Sequence, residues 1–314
     1  MNTEFYAFGE ILWDCLPSGQ HAGGAPFNVA ADLVQLGASA SLISAIGQDP
    51  LGDELLEVAR HKGVNVQFVS RARLGLPTGT VVATVDAQGN ATYELVHPAA
   101  WDEIPVSAEA LEAVAQAGAF IFGSLATRSP YNLEPLDRLL ALKGPLKFFD
   151  VNLRPPFVDP QRIIDLASRA DVLKLNHEEV GQLASWLRTG EATPQPPADT
   201  DALADACAAL WEATHTPRIC VTRAAAGAAL WDRGTLVCAA APQVAVRDTV
   251  GAGDAFNAGL MLGLTHGADP QTVLDTACQL GSIVASHDGA TPLLAPELIQ
   301  DFRDSLKANE PVRP

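Results

Sequence analysis

Basic residues are scarce in this chain. Lys and Arg number 20 against 37 Asp and Glu, for a formal net charge of −17. A surface this acidic repels phosphate backbones and anionic headgroups, which sets nucleic acid and membrane surfaces aside as partners. An anionic substrate must then be held by a local positive site, made from backbone N–H groups or a bound cation. Long apolar runs are also missing. None reaches the ~18 residues that span a bilayer, and the start, MNTEFYAFGEIL, has no basic stretch ahead of an apolar one. No signal peptide is expected. The five cysteines, Cys15, Cys207, Cys220, Cys238 and Cys278, are scattered, odd in number and without a C-x-x-C. They are expected as buried small hydrophobes in a reducing cytoplasm, not as a zinc site or a disulfide framework.

Several catalytic signatures are absent too. No Gly-Lys dipeptide occurs, so there is no Walker-type phosphate loop. The one G-x-G, Gly251–Gly253, lacks the third glycine of a dinucleotide fingerprint, which argues against a dehydrogenase. There is no H-E-x-x-H. Phe122 and Ala126 stand where a nucleophile elbow around Ser124 needs glycines.

What is present is a chain of 314 residues, 48% hydrophobic and 18% charged, enough to pack a sizeable core. Short β-rich runs alternate with helical patterns. FYAFG, ASLISAIG, AFIFG, LKFFD, DVLKLN and RICVT read as strands, while PFNVAADLVQLG and PLGDELLEVARHKG read as helices. Several strands are apolar on both faces, which suits a parallel sheet covered by helices on each side. Thr78–His97 alternates around DAQGN as a hairpin, and EILWDCLP (10–17) is a further β-like piece. These could form a flap over the sheet or an ordinary edge hairpin. The Pro-rich stretch from Arg188 to Asp201 reads as an exposed loop rather than a domain boundary, and the tail KANEPVRP as frayed.

The stretch DTVGAGDAFNAG, from Asp248 to Gly259, combines a tight turn with the start of a helix. Gly251, Ala252 and Gly253 allow a ligand to approach the backbone closely. Unpaired N–H groups and the helix dipole make an anion site there without basic side chains. Two readings of Asp254 stay open on the residues alone. It is a cap or first-turn acid that stabilises the helix by roughly 1 kcal/mol, or a base beside a bound phosphoryl group.

DTVGAGDAFNAG closely resembles the C-terminal signature of the PfkB/ribokinase family of carbohydrate kinases, and AGGAPFNVAADLVQLG (22–37) resembles that family's N-terminal signature. The resemblance runs from FGEILWD to GATPLLAP. It implies a ribokinase-like three-layer α/β/α fold, with a mostly parallel central sheet and a small β-lid from about residues 10–17 and 78–104. The whole chain, 1–314, is expected as one kinase domain, cytoplasmic, with the lid also a surface on which two copies could pair. The activity implied is transfer of the γ-phosphoryl of ATP to a sugar hydroxyl. GGAPFNVA is closer to the fructokinase form than to ribokinase or adenosine-kinase forms. Kinases of 2-keto-3-deoxygluconate, ribose or nucleosides are the alternatives within the family. A non-catalytic regulatory protein on the same fold is the alternative outside enzymes, but Asp254, both glycines, Asn176 and Glu179 are all present.

Carried over position by position, the resemblance makes Asp254 the base and the amides around Gly251, Ala252 and Gly253 the anion hole. It gives Asp14, Gly23, Gly24 and Asn28 to the sugar. Asn152 and Arg154, in DVNLRPPF, match a D-x-N-x-R element on the substrate side. Asn176 and Glu179 match the N-x-x-E element that organises Mg²⁺ and phosphates through water. Thr222 and Gly227 match a T-x-G-x-x-G nucleotide element, in which Ala224 replaces the middle glycine. Asp248, Val250, Val284, His287 and Gly289 match positions whose carbonyls hold K⁺ in several relatives. HPAAWDEI (97–104) departs from the usual fructokinase lid ending.

A positioned base contributes about 10²–10⁴-fold. Asp254→Asn is therefore expected to fold normally and lose turnover by about that factor. Wild-type turnover in that variant would show that Asp254 is not the base.

Overall fold

A computed structural model describes residues 4–16, 19–73, 75–85, 91–190 and 196–307. Pro17, the DAQGN tip (86–90), the middle of the Pro-rich loop (191–195) and the tail from 308 lie outside the described residues.

The chain begins with β1 (Glu4–Phe8), β2 (Leu12–Leu16), β3 (Gly19–Gly23), α1 (Ala25–Gln35), β4 (Ser39–Ile46), α2 (Pro50–His61) and β5 (Asn65–Arg71). There follow β6 (Gly79–Val85), β7 (Ala91–Leu95), α3 (Ala108–Ala115), β8 (Ala119–Gly123), α4 (Leu133–Leu140), β9 (Leu146–Asp150), α5 (Pro160–Ser168) and β10 (Val172–Asn176). The last part holds α6 (His177–Thr189), α7 (Thr200–Thr214), β11 (Arg218–Thr222), β12 (Ala228–Asp232), β13 (Thr235–Ala239), α8 (Ala252–His266), α9 (Pro270–Ala285) and α10 (Pro296–Lys307).

Among the described residues, nine strands form one sheet in the order β13-β12-β11-β10-β9-β8-β1-β4-β5. Pairing is parallel from β11 to β5 and antiparallel at β12 and β13. Period-two alternation divides the core between the two faces. Phe5 and Ala7 of β1 pack with α1, α8 and α9, while Tyr6 and Phe8 pack with the layer that contains α4, α5 and α7. A row of aromatics runs across this second face, with Phe122 stacked on Phe120 at 5.5 Å and on Phe149 at 5.0 Å. This is the expected α/β/α fold.

A second, smaller sheet has the order β3-β2-β6-β7. The sequence reading placed β2, β6 and β7 and missed β3, β5, β12 and β13. β12 and β13 are joined through Arg233 and Gly234, both with positive φ, in a tight hairpin where Asn-Gly is the usual signal. The cysteine expectation holds in part. Cys207, Cys220 and Cys278 are buried, Cys15 is half-buried and Cys238 is exposed on β13, which is an edge strand. Among the described residues no helix is long and apolar enough to cross a membrane.

Helix starts position the site. α2, α3, α5, α7 and α9 are capped by Asp49, Ser107, Asp159, Asp199 and Asp269, each side chain accepting a backbone N–H. α1 and α8 begin instead on positive-φ glycines, Gly24 and Gly251, with no side-chain cap. Their first-turn N–H groups are left for other partners. Both starts lie beside the crevice where the chain order reverses, between β1 and its neighbours β4 and β8. That is where open α/β sheets bind ligands.

Candidate active site

Gly251 caps α8 with φ +79°, and a side chain there would run into the backbone carbonyl of Ala290. Only glycine fits. A Cβ added at Gly253 would instead meet Lys174 Nζ at 3.8 Å and nothing else within 4 Å. The missing side chain therefore leaves open space between the helix start and a buried ammonium group.

Asp254 follows in the first turn of α8. It is not the cap, since Gly251 holds that position. Its Oδ2 accepts a hydrogen bond of 2.8 Å from Asn28 Nδ2. Asn28 in turn lies in the first turn of α1 and is buried. The two uncapped helix starts are thus joined through this pair. Burial pushes the Asp254 carboxyl up to about 7, against the pull of the Asn28 hydrogen bond. A carboxyl titrating there is suited to act as a base at neutral pH.

Behind Asp254 lies a network that the sequence reading did not assign. Lys174 Nζ donates to Asp150 Oδ1 at 3.1 Å, and Asn257 Nδ2 donates to Asp150 Oδ2 at 2.9 Å. Asp150, Lys174 and Asn257 are all buried. Burial disfavours the charged ammonium, but the Asp150 and Glu179 carboxylates outweigh it and hold Lys174 above its ordinary value. Glu10, also buried, accepts from the Ala25 N–H at 3.2 Å and so takes up a free donor at the start of α1. Burial pushes its carboxyl to about 7. Asp150 and Glu10 sat in the quoted motifs DVNLRPPF and FGEILWD, where an acid at a strand end reads as solvated.

On the acceptor side, Asp14 is half-buried on β2 and packs on Gly23, where any side chain would collide with its carboxylate. Burial raises the Asp14 carboxyl, while His21 and Arg154 lower it. Gly24, at φ +109°, lies against the Glu10 carbonyl. Asn152 lines the crevice with Glu10, Ser124 and Asp150. Arg154 is exposed and donates to the Leu153 carbonyl at 3.1 Å, and its charge reaches Glu10, Asp14 and Asp254.

On the other side of Asp254, Asn176 and Glu179 form a capping box at the start of α6. Asn176 Oδ1 accepts from the Glu178 and Glu179 N–H groups. Glu179 Oε1 and Oε2 accept from the Leu153 and Asn176 N–H groups, each at 2.8 Å. Lone pairs remain for water, so this donor set fits outer-sphere contact with hydrated Mg²⁺. Among the described residues, no group of three or more His, Cys, Asp or Glu is placed to hold a metal directly. Thr222 pairs with Asn176 across β10 and β11. Gly227 lies against the backbone of residues 239–241, where no side chain fits. Ala224 takes φ +49°, a left-handed conformation in which glycine is unstrained.

The Asp248 carboxylate accepts from Val250 N at 3.0 Å and from Gly289 N at 3.1 Å. The two loops expected to share carbonyl ligands therefore meet, near the end of α9 that carries Val284. The His287 ring is exposed and lies 2.8 Å from the Ile283 carbonyl of its own helix end.

An α/β/α sandwich with an uncapped, glycine-flanked helix start that carries a half-buried carboxylate has the form of a phosphotransferase. The chain belongs to the pfkB family of carbohydrate kinases, whose family model matches residues 8–297. It is a carbohydrate kinase, acting on sugar hydroxyls. It is 29% identical to a fructokinase of Klebsiella pneumoniae, over 94% of this chain and 97% of that protein. It is 28% identical to an aminoimidazole riboside kinase of Salmonella typhimurium, over 96% of each. Among solved structures, fructokinase with bound ATP from Xylella fastidiosa superposes with a TM-score of 0.80 at 24% identity, covering 98% of this chain and 100% of that one.

The buried carboxyls fix the sign of the pH dependence of stability. Asp254 and Glu10 titrate near 7 in the folded chain, above ordinary values of 3.8 and 4.5. Their protonated forms stabilise the fold fully below about pH 4, and this is lost as pH rises through 7. Asp49 and Asp269, held low by hydrogen bonds, act oppositely, but below pH 4. Urea unfolding of the ligand-free protein is expected to show stability falling by about 2–3 kcal/mol per buried carboxyl between pH 5 and pH 8. Greater stability at pH 8 would contradict this description of the site.

Proposed function

We propose that this carbohydrate kinase transfers the γ-phosphoryl of ATP to fructose, with Asp254 as the base. The observation that carries the catalytic part is the 2.8 Å hydrogen bond from Asn28 to Asp254 at the start of α8. It supports the reading by fixing a carboxylate with a raised pKa in the first turn of α8. The fructose assignment is supported by the GGAPFNVA form of the first motif and by the fructokinase relative.

In this reading the sugar lies against Gly23 and Gly24, where no side chain intrudes. Asp14, the Asn28 amide and Asn152 take its hydroxyls, and Arg154 contacts the sugar or a phosphate. Asp254 removes the proton of the accepting hydroxyl as it attacks. N–H groups of Gly251, Ala252, Gly253 and Asp254 hold the charge that develops on the transferred group. Asn176, Thr222 and Gly227 border the nucleotide. Mg²⁺, when bound with the nucleotide, neutralises phosphate charge. Asn176 and Glu179 would hold it through water. K⁺ would be held by carbonyls of the loops at Asp248, Val250, Val284, His287 and Gly289. The small sheet, with residues 97–104, acts as the lid that keeps water from competing with the sugar, and two copies could pair through it.

A riboside or ribose acceptor is the second reading, favoured by the aminoimidazole riboside kinase relative and by the atypical lid ending. A panel of sugars assayed for ATP consumption decides between them. Highest kcat/KM on fructose is expected. Turnover confined to ribose or a nucleoside would overturn the fructose assignment and leave the kinase chemistry standing.

A further inference from the structure

Between α9 and α10, residues 290–294 run as irregular backbone past the start of α8. One side of this segment lies on Gly251: the Ala290 carbonyl occupies the space that a side chain at Gly251 would need. Just upstream, Gly289 N donates to Asp248 Oδ2 at 3.1 Å, which ties the segment to the approach to α8. Its other side is held by side chains from α1 and from the end of α2. Gln35 Nε2 donates to the Pro292 carbonyl at 3.1 Å, and Gln35 Oε1 accepts from Leu294 N at 3.0 Å. Lys62, which follows α2, donates from Nζ to the Thr291 carbonyl at 3.0 Å.

Asp32 serves both holders. It lies on α1 one turn beyond Asn28 and is fully buried. Its Oδ1 accepts from Gln35 Nε2 at 3.4 Å, while Oδ2 is buried without a donor. The charges of Lys62, from the end of α2, and of Asp254, from α8, both reach it. Burial pushes the Asp32 carboxyl well up, and pushes Lys62 down against the pull of Asp32. A carboxyl so placed costs stability, and an alanine would fit the helix at less cost. What the acid supplies is an acceptor for Gln35 and an opposite charge near Lys62, the two residues that hold the segment.

The held segment has no slack where it meets α8. Gly251 and Ala290 touch backbone to backbone, so a shift of residues 290–294 moves the first N–H groups of that helix. We propose that Asp32, Gln35 and Lys62 are positioning residues for phosphoryl transfer: they hold residues 290–294 against Gly251 and so fix the N–H groups at the start of α8. This rests on the reading of those N–H groups as the cradle of the transferred group. Such a cradle acts on charge that develops during transfer, so the set governs kcat and leaves KM for the sugar unchanged.

The full chain is tested with Gln35→Leu and Lys62→Met, which remove the holding groups, with Lys62→Arg, which keeps a donor for Thr291, and with Asp32→Ala. The first readout is the Gly251 amide signal in the ligand-free protein, followed by ¹⁵N NMR and independent of any sugar. The second is turnover on fructose, or on ribose should the sugar panel favour it, so that a wrong sugar does not bear on the result. In Gln35→Leu and Lys62→Met the Gly251 signal should shift, and kcat should fall about 10–100-fold with KM for the sugar within about twofold. Lys62→Arg should restore both. Asp32→Ala should lose kcat in the same way while its melting temperature stays at or above that of the wild type, a pairing that a purely structural role does not give. A Gly251 signal unmoved in Gln35→Leu and Lys62→Met overturns the inference whatever the turnover. A moved signal with wild-type kcat also overturns it, and takes the cradle role from Gly251 without touching the assignment of Asp254, which has its own variant. Wild-type kcat in Asp32→Ala overturns the role of Asp32.

Discussion

Glu10, Asp150 and Glu179 are three acids taken out of water around one crevice, with Asp254 half-buried beside them, Asp32 buried further along α1, and Lys174 the cation buried among them. Burial of this kind disfavours charge, and it lifts the carboxyls of Asp254, Glu10, Asp32 and Glu179 above their ordinary values. The neighbouring structure can be understood as the set of partners that makes this tolerable. Asn28 fixes Asp254, Ala25 N–H serves Glu10, and Asn257 and Lys174 share Asp150. Two backbone N–H groups serve Glu179. The donors come from α1, β10, α8 and the loop at Leu153, so these contacts hold helices and strands to one another.

The same economy of positive charge explains the treatment of helix starts. Elsewhere the chain spends its many aspartates as caps. At α1 and α8 it uses positive-φ glycines with no side-chain cap, and Glu10 takes the Ala25 N–H at the start of α1. In a protein with a net charge of −17, backbone dipoles at such helix starts offer positive potential without basic side chains. Gly251 and Gly24 are fixed by contact with a neighbouring carbonyl, while Gly253 is fixed by nothing in the protein itself. The space at Gly253 faces Lys174 Nζ, which a Cβ there would meet at 3.8 Å.

Features that depend on local pattern were legible in the sequence. Glycine turns before helices, apolar strands and the β/α alternation gave the sheet, its two helical layers and the position of Asp254. Features that depend on distant partners were not. Asp150 ends β9 and Lys174 sits inside β10, and the burial of the pair follows only when β9, β10 and α8 meet. The β12–β13 hairpin was hidden because Arg233 and Gly234 stand in for the usual turn pair, and Ala224 hid a left-handed residue behind an ordinary alanine.

Burial brings the Asp254 carboxyl to titrate near neutral pH, the condition that the proposed proton transfer needs. The measurement that tests this most directly is the ¹³C carboxyl shift of Asp254 in the ligand-free protein, followed by NMR against pH and assigned with Asp254→Asn. A midpoint near 7 is predicted. A midpoint near 4, the range of a solvated aspartate, would contradict the account.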